Sequence, residues 1–127
     1  MPFGWGESHD AYQQVYEGEN KHESSFSHEL IAGGAAFAGF KAFEDHQRKQ
    51  GKPVEHAFAK ELLAGFAAAE VDKLAETKGE DFIDRERAKH DAKKNAERMY
   101  EEHYGDRDQY DPSYDAPDRL NRQFGGW

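Results

Sequence analysis

Glu29-Leu30-Ile31-Ala32-Gly33 returns 32 residues later as Glu61-Leu62-Leu63-Ala64-Gly65. The echo runs beyond those five residues. With 28–46 laid over 60–78, identities fall at 29/61, 30/62, 32/64, 33/65, 35/67, 36/68, 41/73 and 44/76. No stretch of the chain alternates as a strand would. The fold class read from this pair is all-α: an antiparallel hairpin of a duplicated Ala/Gly-rich helix, a third long helix, a short N-terminal helix and extended tails.

The flanking residues set the boundaries. Ser24, Ser25 and Ser27 offer N-caps for a helix over about 27–49. Gly51 suits a stop after Gln50, and Pro53 suits the first turn of a second helix over about 53–78. Gly79 either ends that helix or interrupts a longer one. A third helix over about 80–104 stops at Gly105, with Phe82, Ala88, Ala92, Ala96, Met99, Tyr100 and His103 on one face. Ser8 can cap a short helix reaching Tyr16, with Ala11, Tyr12, Val15 and Tyr16 on one side. The Asp-, Tyr- and Pro-bearing residues 106–127 read as an extended tail. The aromatic–glycine ends, Phe3-Gly4-Trp5-Gly6 and Phe124-Gly125-Gly126-Trp127, either hang free or dock a Trp. The expected domains are a segment 1–26, a helical core 27–104 and a tail 105–127.

Between residues 30 and 43 only Lys41 is charged, so the first long helix is apolar almost all the way round. Such a helix must be covered on every side. Gly33, Gly34, Gly39 and Gly65 are flat places where another helix can approach, which offsets the roughly 1 kcal/mol that each helical glycine costs relative to alanine. A thin third helix does not cover both members of the pair, so the expectation is a homo-oligomer, a dimer in the simplest case. The alternative is a compact monomer in which the N-terminal helix and aromatic ends fill the gap.

Composition removes several function classes. At 127 residues with 36% hydrophobic and 34% charged residues, the chain supports one modest core. Its net charge of −9 is spread along its length, which disfavours nucleic acid and anionic lipid as partners. It has no cysteine, hence no disulfide framework, thiolate zinc site or cysteine nucleophile. Met1–Ser8 lacks the basic start and apolar run of a signal peptide. Leu30–Phe40 would be roughly 17 Å long as a helix, too short for a bilayer core of about 30 Å. A cytoplasmic protein is expected.

Ser27-His28-Glu29-Leu30-Ile31-Ala32-Gly33, Lys41-Ala42-Phe43-Glu44, Gly51-Lys52-Pro53, Ala59-Lys60-Glu61 and Glu76-Thr77-Lys78-Gly79 resemble the CipC-like antibiotic-response proteins of filamentous fungi, over about residues 5–104. The resemblance implies a small helical cytosolic protein linked to stress or antibiotic exposure, with no catalytic residues to carry over. Together with the packing of the duplicated pair, it makes the expected role non-enzymatic, through self-association or protein interaction. A fainter likeness, carried by Phe43-Glu44-Asp45-His46, is to plant abscisic-acid, stress and ripening proteins. Those bind zinc through histidines and are far richer in histidine than this chain.

Seven histidines invite a metal reading beside the bland one, in which each is solvated or paired with a carboxylate. Folding 27–49 back on 53–78 sets His46 opposite His56. His103 joins them if the third helix turns back near Gly79. Three imidazoles there could bind zinc or another divalent ion, with Glu44 or Glu55 nearby. At the other pole His28 approaches Asp72 and Glu76, a set better suited to iron or manganese. Ser24–Ser27 beside His28 and Glu29 reads as helix caps and not a triad. The cations between 85 and 98 alternate with Glu86, Asp91 and Glu97 and read as a solvated face. An apolar ligand between subunits is disfavoured by the small residues, which pack closely.

Overall fold

The computed structural model describes residues 5–17, 28–78 and 85–124, apart from the side chains of Glu17, His28, Thr77 and Lys78. The serine caps at 24–27, Gly79, Phe82, His22 and the outermost aromatic–glycine residues lie outside the described set. Among the described residues the structure is all-α. Helix α1 (Trp5–Tyr12) continues into a π-helical turn (Gln13–Glu17), followed by α2 (His28–Gln50), α3 (His56–Lys78), α4 (Arg85–Tyr104) and α5 (Asp118–Phe124).

Helix α2 is central and packs against α1, α3 and α4. Every residue from Ile31 to Phe37 is buried, as are Gly39, Phe40, Phe43 and Glu44. The cover comes from the chain itself. Trp5 and Tyr12 of α1 and Phe124 of α5 pack on Phe37 with ring centroids 5.2–6.0 Å away. Trp5 also meets Phe40 at 4.8 Å, and its indole N–H donates to the Met99 carbonyl of α4 at 3.0 Å. Tyr100 and Tyr110 surround Phe43.

The duplicated helices therefore occupy unequal places. Where α2 carries Phe37, Phe40 and Phe43, the aligned positions of α3 are Ala69, Asp72 and Ala75. A fully buried phenylalanine contributes about 2–3 kcal/mol and an alanine far less, so the aromatic copy takes the centre. Helix α3 covers one side of α2 and keeps Phe58, Glu61, Gly65, Ala69, Lys73 and Glu76 exposed on its own outer face.

Several boundaries differ from expectation. The hairpin turn is as read: Gly51 has φ 71° and its N–H donates to the Gln47 carbonyl at 2.9 Å. Pro53, however, does not start α3. Val54 instead pairs in both directions with Tyr110, at 2.9 and 3.0 Å, as an isolated antiparallel bridge, and α3 begins at His56. Ser8 is buried inside α1 and is not its cap, because Trp5 starts the helix by docking on Phe40. Residues 105–117 carry no α-helix, but they lie against the core with Tyr110 fully buried. The chain then forms α5, which the sequence did not announce.

The later start of α3 shifts the hairpin register. Gly39 lies against Ala67, whereas a helix begun at Pro53 would set it against Leu63. A Cβ at Gly39 would fall 2.7 Å from both the Ala67 Cα and its backbone nitrogen. Neither atom can move without moving the helix. Gly39→Ala is expected to lower stability by about 1–3 kcal/mol in chemical denaturation, although alanine is the better helix former.

Candidate functional site

The pole where α2 ends is the most chemically structured part of the molecule. Phe43-Glu44-Asp45-His46-Gln47-Arg48 forms the last turns of α2, with Glu44 and Arg48 one turn apart on the same face. The end of α4 brings His103 and Tyr104, and residues 105–117 wrap around both helix ends.

Glu44 is completely buried. Its carboxylate accepts from the Tyr104 hydroxyl at 2.5 Å, the Tyr110 hydroxyl at 2.9 Å and Arg48 Nε at 3.0 Å. Arg48 uses its other nitrogens on the wrap. Nη1 donates to the Pro112 carbonyl, and Nη2 donates to the Tyr114 carbonyl at 2.9 Å and the Tyr104 hydroxyl at 3.4 Å. One ion pair thus joins α2, α4 and the C-terminal wrap. Burial pushes the Glu44 carboxyl above its ordinary range, while Tyr104, Arg48 and Tyr110 pull the other way. Burial lowers the Arg48 guanidinium, but the Glu44 charge, Tyr110, Tyr104 and the hydrogen bond to Glu44 together outweigh it and the net shift is upward.

The three histidines expected to meet here do not share a site. His46 is exposed near the Phe66 ring, with Nδ1 2.9 Å from Gln47 Oε1. His56 lies between the Tyr100 hydroxyl, 2.7 Å from Nδ1, and the Arg107 carbonyl, 2.6 Å from Nε2. His103 Nε2 donates to the Asp115 carbonyl at 2.8 Å. The shifted hairpin register separates His46 from His56, and the wrap occupies the ring nitrogens of His56 and His103. The role filled by His56 and His103 is fastening the wrap.

At the other pole the His28 side chain lies outside the described set. Asp72 pairs with Lys89 at 3.2 Å and Arg85 at 3.6 Å, and Glu76 is exposed. Among the described residues no group of three or more His, Asp or Glu side chains is arranged to hold a metal ion. His90 is exposed, as its place opposite the apolar face of α4 implies.

The glycine seam divides. Gly34 meets the α1 backbone, since a Cβ there would lie 3.3 Å from the Ala11 carbonyl oxygen, and Gly39 meets α3. Gly33 is buried and Gly65 is exposed. Among the described residues nothing comes within 4 Å of a Cβ built at Gly65.

Sequence reading missed Glu44, Arg48, Tyr104 and Tyr110 as a unit. The available signal was an acidic residue inside an apolar helix with an arginine four residues on. Its tyrosine partners lie 60 and 66 residues away and follow no local spacing. Beside Arg48 an open cavity of about 420 Å³ is lined by Pro112, Ser113, Tyr114 and Asn121 among others. No helix among the described residues is long and apolar enough to cross a membrane.

A protein-family model described as Virulence factor CipC-like matches residues 11–103. No curated protein and no solved structure matches.

Two tests address the pole. Glu44→Ala leaves the Arg48 charge and two buried phenols without their partner and is expected to cost about 3–5 kcal/mol in denaturant unfolding. Burial, followed by the nearby carboxylate charge, raises Tyr104 and Tyr110 next to Glu44, Tyr16 next to Glu70 and Tyr100 near Glu101. The unfolded chain loses these protons near pH 10 while the folded chain keeps them. The stability they contribute is therefore complete below about pH 10 and is lost as pH rises beyond it. Phenolate absorbance should appear late and together with loss of helical circular dichroism. Gradual ionisation near pH 10 with the helices intact would contradict this.

Proposed function

This chain belongs to the CipC-like family, and from that premise we propose that it is a non-enzymatic, stress- or antibiotic-linked protein that works by association with a second copy of itself across the outer face of α3. The observation that carries the reading is Gly65. A glycine inside a helix costs about 1 kcal/mol relative to alanine, and close backbone approach is the ordinary compensation. Gly34 and Gly39 receive that compensation within the chain, from α1 and α3. Among the described residues nothing approaches Gly65, and its face also holds Phe58, which at 50% exposure is the one large exposed hydrophobic side chain among them.

The flat surface continues through exposed Ala57 and Ala69, with half-buried Leu62, Ala64 and Ala68 along its sides. A C2 pair of antiparallel α3 helices crossing at Gly65 would bring the same patch of each copy together. From sequence, an oligomer is expected because both duplicated helices need cover. The cover of α2 is supplied inside the chain, so α3 alone supports the reading.

Opposite effects of one substitution test it. Gly65→Ala is expected to stabilise the isolated fold by roughly 0.5–1 kcal/mol through helix propensity, while weakening association. Gly65→Leu is expected to abolish association with the helix content unchanged. Light scattering at micromolar concentration should give twice the chain mass for the parent and a single chain mass for Gly65→Leu. A parent of one chain mass, or a Gly65→Leu variant of undiminished mass, would overturn the proposal.

A further inference from the structure

Between the first turn of α1, the end of α4 and the start of α5 lies an open cavity of about 290 Å³, near the lower end of the range for small-molecule pockets. Trp5 and Pro117 are its apolar walls. The Trp5 ring is fixed by Phe37 and Phe40 and by the bond from its indole N–H to the Met99 carbonyl. Four charged residues and His103 complete the lining, and their charges are not equivalent.

Glu102 pairs with Arg98 at 3.6 Å and Asp118 with Arg122 at 3.4 Å, so each lining carboxylate has a cation of its own. His103 spends its Nε2–H on the Asp115 carbonyl. Arg119 is different. Among the described residues no carboxylate pairs with it, and its hydrogen bond runs from Nη1 to a neutral acceptor, His9 Nδ1, at 3.3 Å. Nη2 lies beside the α1 backbone, 3.6 Å from where a Cβ on Gly6 would stand. The half-buried guanidinium is thus held in place with its charge unmatched among the described residues. Its planar fork of N–H groups fits a carboxylate. Arg48, beside the other cavity, already has Glu44 as counter-ion and leaves an anion little to gain.

We propose that the cavity at Arg119 binds a small aromatic monocarboxylate, its ring against Trp5 and Pro117 and its carboxylate on the Arg119 guanidinium. The apolar walls favour a ring over an acyclic acid. A second negative charge would meet Glu102 and Asp118, which favours one carboxylate over two. The site is separate from the outer face of α3 and does not depend on association there.

The test titrates the full chain with naphthoate at about pH 7.5, following the Trp5 indole N–H and the Asp118 and Arg119 amides by nuclear magnetic resonance. Saturable shifts with a Kd of about 1 mM or tighter are expected for a ligand of this size. Naphthylmethanol, which lacks the charge, and acetate, which lacks the ring, should each bind at least about tenfold more weakly. Arg119→Met should lose about tenfold or more toward naphthoate and leave naphthylmethanol binding unchanged. The proposal is overturned by the absence of saturable shifts up to about 5 mM naphthoate, by naphthylmethanol or acetate binding as tightly as naphthoate, or by Arg119→Met keeping the parent's affinity. If Arg119→Met does not fold, the three probes compared on the parent chain decide the question alone.

Discussion

A helix that is apolar on every side has to be covered on every side, and α2 is such a helix. Most of the remaining structure follows from meeting that demand. One flank receives α3, drawn in until its backbone rests on Gly39. Another receives α4, a helix of low apolar content that contributes Ala88, Ala92, Ala96, Met99 and Tyr100 to the contact. The last flank is closed from both ends of the chain, by Trp5 and Tyr12 from α1 and Phe124 from α5 around Phe37. Terminal segments thin in aliphatic residues still fold against the core, because a few aromatic rings bury large areas at little cost in side-chain entropy.

Burying α2 to its end also buries Glu44, and a carboxylate there requires partners. They come from Arg48 one turn on and from two tyrosines that lie 60 and 66 residues away in the chain. The position aligned with Glu44 in the repeat, Glu76, is exposed. The same residue in the same motif thus holds the C-terminal wrap in one copy and faces solvent in the other. Environment decides its chemistry, and the repeat does not.

Much of the helical framework was legible. Helices α2 and α4, the Gly51 stop and the buried face of α4 follow from glycine position and 3.6-residue periodicity, which are local properties. Helix α3 starts at His56, three residues after the Pro53 that local sequence favours. Pro53 is compatible with a first helical turn, but Val54 gains two backbone hydrogen bonds by pairing with Tyr110, a partner invisible to local spacing. That difference moved the hairpin register and with it the expected neighbours of His46 and His56. His56 and His103 lie at helix ends, yet their ring nitrogens meet tail carbonyls and a phenol, and His46 Nδ1 meets the side chain of its neighbour Gln47.

Local sequence suffices for the three long helices and the short N-terminal one, for the demand of α2 for complete cover and for the capacity of its glycines for close approach. Composition and period are enough for these, since each depends on residues within a few turns of one another. Which glycines meet a neighbour in the same chain, which repeat lies at the centre and what satisfies Glu44 were decided only by the tertiary structure. Those outcomes depend on where residues far apart in sequence come to rest. A buried charge or an open Cβ position is a property of that surrounding volume, which no local pattern encodes.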